Sequence, residues 1–150
     1  MKPDINQSLA VLAQELIQRN VPLLEDEYEQ SRLNSWGVLL ILASMNIDTA
    51  VDNLNEQNKL MDNWLSRFLE RIKDKDLKIK IRNLTSETTE NIKFSTLDIR
   101  NQKLRRILVQ AQTYFEKKQD SEAIIECWKI LRTMHSHRKI SHLLSILQGK

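Results

Sequence analysis

The sequence predicts an all-α fold: one helical domain over residues 1–150, built as a bundle of about five to seven helices with long antiparallel helices. Glycine and proline occur only twice each, and aromatic residues make up 5% of the chain, so the turn residues that sandwiches and barrels need are scarce. Hydrophobic residues make up 41% and charged residues 29%, which excludes a disordered polar chain. Apolar residues recur at steps of three and four, the spacing that buries one face of a helix.

The first two helices are separated by a proline. Residues 3–19 are expected to form the first helix, and Asn20-Val21-Pro22 ends it. The second helix follows an acidic segment, residues 25–29, which suits the positive end of a helix dipole. It contains Trp36 and the run 38–43, which is apolar on nearly every face. We therefore expect this run to be buried centrally.

The third helix is expected to run continuously over residues 47–72, about 40 Å at 1.5 Å per residue. Its apolar stripe is widened by Leu60, Trp64 and Leu69, and a single neighbouring helix would not cover it. Either several helices of the same chain cover the stripe, or a second chain does. We favour the second interpretation, in which these three residues bind a protein partner or a second copy in a homodimer.

The segment after the third helix is harder to assign. Residues 73–82 alternate charged and apolar side chains, which is also the pattern of a short strand, but we interpret them as a frayed continuation of the helix. Residues 83–91 are polar and are expected to form a mobile loop. The next helix is predicted to begin at Ser95, with Asp98 in the capping-box position.

Two of these helices share one pattern, because a shift of 43 residues superimposes their apolar seams. Each seam contains one asparagine, and a buried asparagine without a partner would cost about 1–3 kcal/mol. One interpretation is that Asn58 and Asn101 share a core layer, bonded to each other or to a common water. The alternative is that either seam lies at the bundle edge. The matched residues are Leu54, Asn58, Met61, Leu65, Phe68 and Ile72 with Leu97, Asn101, Leu104, Leu108, Ala111 and Phe115.

The last part of the chain begins with a tight corner. Residues 117–120 are expected to form it, with Asp120 as the N-cap of the following helix. Residues 121–147 contain no glycine or proline. They are expected to form either one kinked helix or two helices broken near Ser136.

Around this corner, small, aromatic and small residues stand at Ala111, Tyr114 and Ala123. With them, about thirty residues resemble the helix-turn-helix core of a tetratricopeptide repeat. The resemblance implies two antiparallel helices, although no second copy of the repeat is found and an ordinary αα-hairpin explains the segment equally well. Ile130 and His135 stand where that family prefers alanine and proline.

Arg132 and His137 form the candidate with the most chemical content. An arginine followed shortly by a histidine resembles the motif of HEPN-family RNases, in which the histidine would transfer a proton and the arginine would stabilise the developing phosphate charge. Thr133 departs from the asparagine or aspartate that often follows that arginine. The alternative is a solvated basic stripe that consists of Lys129, Arg132, His135, Lys139 and His142.

Metal sites have less support. Two helix starts carry six carboxylates, Glu25, Asp26, Glu29, Asp48, Asp52 and Glu56. They resemble the Mg²⁺-binding motifs of all-α nucleoside triphosphate pyrophosphatases, but acidic first turns are common at helix starts. The lone Cys127 lacks the paired spacing of a zinc site and is expected to be a small core residue. We therefore expect no metal and no cofactor.

The distribution of charge and of apolar residues indicates whether the protein binds nucleic acid or a membrane. Residues 1–60 carry four basic and nine acidic side chains, a net charge of −5. Because the whole chain has a net charge of +3, the remaining residues carry +8. Nucleic-acid binding has some support from the basic half but is not favoured, because acidic residues interrupt its clusters and few aromatics accompany them. The first residues lack the unbroken apolar run of a secretory signal, so we expect none, and no apolar run approaches the length of a membrane span. We expect a cytoplasmic protein without membrane contact.

These observations favour a non-catalytic helical-bundle protein that acts in protein–protein interaction or self-association. No group of residues has the spacing of an established catalytic constellation. The alternative function is that of a HEPN-like RNase or an RNA-binding protein, which would use Arg132, His137 and the basic C-terminal half.

Overall fold

The computed structural model describes residues 4–87 and 92–138, and this part of the chain is all-α. The predicted fold class is therefore confirmed. Contacts divide the chain into two compact units, whose described residues are 4–49 in the first unit and 50–87 and 92–138 in the second. The α-helices are α1 (Ile5–Gln14), α2 (Glu27–Phe68), which contributes to both units, α3 (Lys75–Ser86), α4 (Phe94–Lys118) and α5 (Ser121–Ser136).

The first unit begins with α1, which Asp4 caps by accepting a hydrogen bond from the Asn6 amide at 3.0 Å. A π-helical turn (Glu15–Asn20) and a 3₁₀ turn (Val21–Leu23) continue the helical path of the chain beyond the predicted helix end. The proline at position 22 is accommodated because the first turn of a helix needs no amide donor there. The start predicted at Pro3 lies outside the described residues.

The first half of α2 packs at Gly37 against α1 and the π-helical turn that follows it. A Cβ atom at position 37 would lie 2.7 Å from Ile17 Cδ1 and closer still to Ile17 Cγ1, so a larger residue would force the Ile17 side chain to shift. Within Glu27–Ile47, the buried residues are Gly37 and Ser44. The predicted central burial of residues 38–43 is wrong, because these residues are half-buried or exposed. The helix has apolar side chains on two faces, and only one face meets α1 and its continuation.

The second unit contains the large core. The seam predicted for α4 is confirmed, because all six of its residues are buried. Phe115 packs edge-on against Trp64 and Phe68, with ring centroids 5.6 Å and 5.9 Å apart. The other core residues of α3 and α5 are Leu77, Ile81 and Leu84, and Ala123, Cys127, Ile130 and Met134.

Contacts along the helices give their directions. Asn58 contacts Asn101 near one end of the unit, and Phe68 contacts Phe115 further along both helices, so α2 and α4 run parallel. Helix α5 follows α4 through a tight corner and runs antiparallel to it. The predicted antiparallel arrangement therefore describes α5 against α4, while α3 returns the chain so that α4 can repeat the direction of α2.

Several predicted boundaries are wrong. Helix α2 spans Glu27–Phe68, which takes in both helices that the sequence suggested, and a 3₁₀ turn (Leu69–Arg71) ends it before residue 72. Residues 73–82 neither continue that helix nor form a strand, because Asp74 accepts a hydrogen bond from the Leu77 amide at 3.0 Å and starts α3.

The predicted loop over residues 83–91 begins later than expected. Residues 83–86 belong to α3, where the Thr85 hydroxyl donates to the Ile81 carbonyl at 3.0 Å, and residues 88–91 lie outside the described part. The polar composition therefore does not end the helix at residue 83.

The ends of α4 and α5 differ in how well the sequence predicted them. Helix α4 begins at Phe94, so Ser95 is inside it and the predicted capping box is wrong; Asp98 instead accepts from the Gln102 side chain at 2.8 Å. The corner is confirmed: Gln119 adopts the left-handed region with φ of 55°, and Asp120 accepts from the Ala123 amide at 3.2 Å. Helix α5 ends at Ser136, the predicted break point, and residues 139–147 lie outside the described part.

Candidate functional site

The predicted binding residues of the third helix lie in the core of the second unit. Trp64 is only 4% exposed, and its indole N–H donates to the Ala123 carbonyl of α5 at 3.1 Å. Leu60 and Leu69 are half-buried and pack against the same core. Trp64 is therefore covered by other helices of the same chain, which leaves Leu60 and Leu69 as the partly exposed members of the stripe, and binding of a partner by these residues stays a prediction.

Arg132 and His137 have separate partners in the structure. The Arg132 side chain is exposed, and its Nε donates to the Trp128 carbonyl at 3.4 Å within α5. His137 lies just after α5 and contacts α2 through Gln57, at 3.2 Å from its Nδ1, and through Glu56, at 3.4 Å from its Nε2. The motif that predicts a catalytic pair thus contains one exposed arginine and one histidine bonded to other side chains. We call the bonded group of Glu56, Gln57, Arg105 and His137, with the neighbouring Asp62 and Arg100, the polar layer.

The bonds of Gln57 assign the proton on His137. The Oε1 atom of Gln57 accepts from Arg105 Nη2 at 3.0 Å, which leaves the amide nitrogen to donate to the imidazole Nδ1. The hydrogen of the neutral ring is then on Nε2 and faces the Glu56 carboxylate. Both ring nitrogens are thereby occupied, and the bonds join α4, α2 and the end of α5.

A second part of the polar layer joins α2 to α4. Arg100 donates to Asp62 Oδ2 at 2.7 Å and to the Glu87 carbonyl at 2.8 Å. Burial raises the pKa of the Asp62 carboxyl, while the hydrogen bond and the charge of Arg100 oppose that rise. Among the described residues, Asp62 Oδ1 and Arg105 Nε are buried without a hydrogen-bond partner. The layer therefore fixes the register of the helices but also costs desolvation energy.

Cys127 is a buried core residue, as the sequence predicts. Burial raises the pKa of its thiol to about 11, and the charge of Glu116 adds to the rise. The thiolate, which is the reactive form, is therefore scarce at neutral pH.

Three of the six carboxylates that resemble a Mg²⁺ site are engaged with protein groups. Asp26 caps α2 by accepting from the Tyr28 amide at 2.8 Å, Glu29 pairs with Arg32 at 2.9 Å, and Glu56 contacts His137. The side chain of Asp48 lies outside the described ones. Within the part of the chain that the structure describes, no three metal-ligating side chains gather at one point.

An exposed row of side chains on α2 is the first candidate surface, which we call the α2 strip. It faces away from the Gly37 contact, and its members follow at steps of four, four, three, four and four. The Arg32 guanidinium lies 5.2 Å above the Trp36 ring, and Leu39 is 62% exposed. The sequence does carry this signal, as a second apolar stripe on a helix that already has one. The strip consists of Tyr28, Arg32, Trp36, Leu39, Ala43 and Ile47.

A second exposed row, the α5 strip, lies on α5 opposite its buried residues. Its members are spaced by three, four and three positions, and Trp128 is 49% exposed. Residues 127–138 contain three Lys or Arg side chains and no carboxylate. The strip consists of Ile125, Trp128, Arg132 and His135.

Comparison of this chain with known protein families, with curated proteins and with solved structures finds no match. Among the described residues no single helix is long and apolar enough to span a membrane, although Glu27–Ile47 and Thr49–Arg71 together reach the required length and composition as a bent pair.

Proposed function

We propose that this protein is a non-catalytic interaction module whose binding face is the α2 strip, and that the strip takes an amphipathic helix of a protein partner. The observation that carries the proposal is the exposure of an apolar and aromatic row along five turns of α2, about 30 Å of helix. Its steps of three and four are the spacing by which one helix packs along another.

The chemistry of the α2 strip suits a stable contact. Tyrosine, tryptophan and arginine are the residue types that contribute most to binding when a partner buries them, and all three occur here, in Tyr28, Trp36 and Arg32. Burying a leucine such as Leu39 fully contributes about 1.5–3 kcal/mol. The Arg32 guanidinium lies above the Trp36 ring and 2.9 Å from the Glu29 carboxylate, so it is part of the same exposed row.

Charge selects the kind of helix that binds. Residues 20–31 contain four carboxylates and no Lys or Arg, so one end of the α2 strip is strongly acidic. A partner helix with a basic flank is attracted to this end, and an acidic helix is repelled.

The side chains that could act in catalysis, His137 and Cys127, are occupied or unreactive, and this supports a non-catalytic role. His137 uses both ring nitrogens in the polar layer, and the pKa of the Cys127 thiol is raised to about 11. Cleavage of RNA that is abolished by His137→Ala at unchanged thermal stability would contradict this part of the proposal.

The test is site-specific photo-crosslinking in the cells that produce the protein. A benzophenone amino acid is placed at Leu39 or, as a matched control, at Val109 of α4, because both residues are 62% exposed and only Leu39 belongs to the α2 strip. We expect Leu39 to give one defined product whose crosslinked peptide is an amphipathic helix with a Lys- or Arg-rich flank. The same diffuse products at both positions would contradict the proposal.

A further inference from the structure

We propose that the partner helix is α5 of a second copy of this chain, and that the α2 strip of one copy docks antiparallel on the α5 strip of another. This inference rests on the proposed function and adds the identity of the partner. Three features of the described residues carry it: complementary spacing, complementary charge and matching exposed side chains.

The spacings fit in the antiparallel direction. From Leu39 back towards Tyr28, the α2 strip has steps of three, four and four, and from Ile125 onward the α5 strip has steps of three, four and three. Pairing Leu39 with Ile125 therefore places Trp36 against Trp128 one turn later. Both indoles are 49% exposed, and stacked or edge-on aromatic pairs contribute about 0.5–1.5 kcal/mol beyond the area they bury.

The charges fit in the same direction. The acidic residues 20–31 lie at the N-terminal end of the α2 strip, and the basic residues 127–138 lie at the C-terminal end of the α5 strip. Antiparallel docking brings these two ends together. Arg132 then comes beside Glu29 and Arg32, where the Glu29 carboxylate, 2.9 Å from Arg32, bridges the two guanidinium groups. A parallel arrangement would separate these groups.

A contact between two different strips makes a specific genetic prediction. Leu39→Glu damages only the α2 strip, and Trp128→Glu damages only the α5 strip. A mixture of the two variants still contains one intact α2 strip and one intact α5 strip, on different chains. The two variants should therefore bind each other although neither binds itself.

The experiment is sedimentation equilibrium of the full chain at about 1–100 µM. We expect the wild type and the matched control Val109→Glu to self-associate, and Leu39→Glu and Trp128→Glu each to lose at least about 30-fold in affinity, as for the centre of an interface. An equimolar mixture of the two damaged variants should give a one-to-one dimer. Far-ultraviolet circular dichroism and thermal unfolding check that each variant is folded, and Ile125→Glu replaces Trp128→Glu if the latter is not.

The outcomes separate this inference from the proposed function. A monomeric wild type at 100 µM overturns the inference, and so does a mixture that stays monomeric. Loss of association in Leu39→Glu but not in Trp128→Glu or Ile125→Glu overturns the role of α5 and leaves the α2 strip as a binding face. Binding of a monomeric wild type to phosphatidylcholine vesicles that Leu39→Glu abolishes would assign the strip to a lipid surface and overturn the inference as well.

Discussion

The side chain of Asn101 in α4 donates a hydrogen bond of 2.9 Å to Oδ1 of Asn58 in α2, and both side chains are buried. Asn58 in turn donates to the Leu97 carbonyl at 3.0 Å. The two asparagines that occupy equivalent places in the shifted seams therefore bind each other directly. An interior amide pair of this kind sets which turn of α2 faces which turn of α4, because any slip leaves both amides unpaired.

We predict that Asn58→Leu or Asn101→Leu alone lowers the free energy of unfolding by about 1–3 kcal/mol, because each leaves a buried amide without its partner. The double variant should lose less than the sum, since apolar side chains of similar size then face each other. Urea unfolding of all four proteins measures the coupling. Additive losses would show that the two amides do not depend on each other.

We predict that Trp64→Phe destabilises the second unit and leaves self-association unchanged. The substitution removes the donor to the Ala123 carbonyl and part of the buried volume, for a loss of about 1–3 kcal/mol in the free energy of unfolding. Urea unfolding and sedimentation measure the two properties. A folded variant with altered association would return Trp64 to the surface role that the sequence suggested.

We predict that the effect of Gly37→Ala changes sign with the residue at position 17. In the wild type the new methyl group meets Ile17, and overpacking of this kind costs about 1–3 kcal/mol. In an Ile17→Ala background the obstructing atoms are gone, and alanine should stabilise α2 by up to about 1 kcal/mol through its helix propensity. Thermal unfolding of the four proteins measures this. An equal effect in both backgrounds would mean that the helices do not approach at this point.

We predict that the Cys127 thiol resists modification in the folded protein. With a pKa of about 11, on the order of 0.1% of it is thiolate at pH 8, and burial limits access further. Ellman's reagent should react quickly only after urea is added. Because the folded thiol holds its proton more tightly than the unfolded one, wild-type stability should fall between about pH 9 and 11 relative to Cys127→Ala. Equal pH profiles for the two proteins would contradict the raised pKa.

Periodicity predicted the parts of the fold in which each helix has a single apolar face. The α4 seam from Leu97 to Phe115 is an example, because its six residues have one possible direction of burial. The corner at Gln119 and the cap at Asp120 were also predictable, since their signals are local.

Periodicity failed where a helix has two apolar faces. It assigned residues 38–43 to a central core, although only the Gly37 face is packed within the described residues. It also did not predict the burial of Trp64, because a single sequence does not show that both α4 and α5 lie against this side chain. The α2 strip was missed for the same reason. The place of His137 depends on a contact with Gln57 across 80 residues, which no local pattern reports.

The parallel course of α2 and α4 has a consequence for how the second unit acquires its structure. The bond between Trp64 and Ala123 joins residues 59 positions apart, and the bond between Asn58 and Asn101 spans 43. Contacts of such separation require closure of long loops before any energy is gained, which slows folding relative to bundles of sequential neighbours. During synthesis the hydrophobic side of α2 must therefore stay soluble until the chain through α5 has emerged, which makes this interval the one in which a chaperone would be needed.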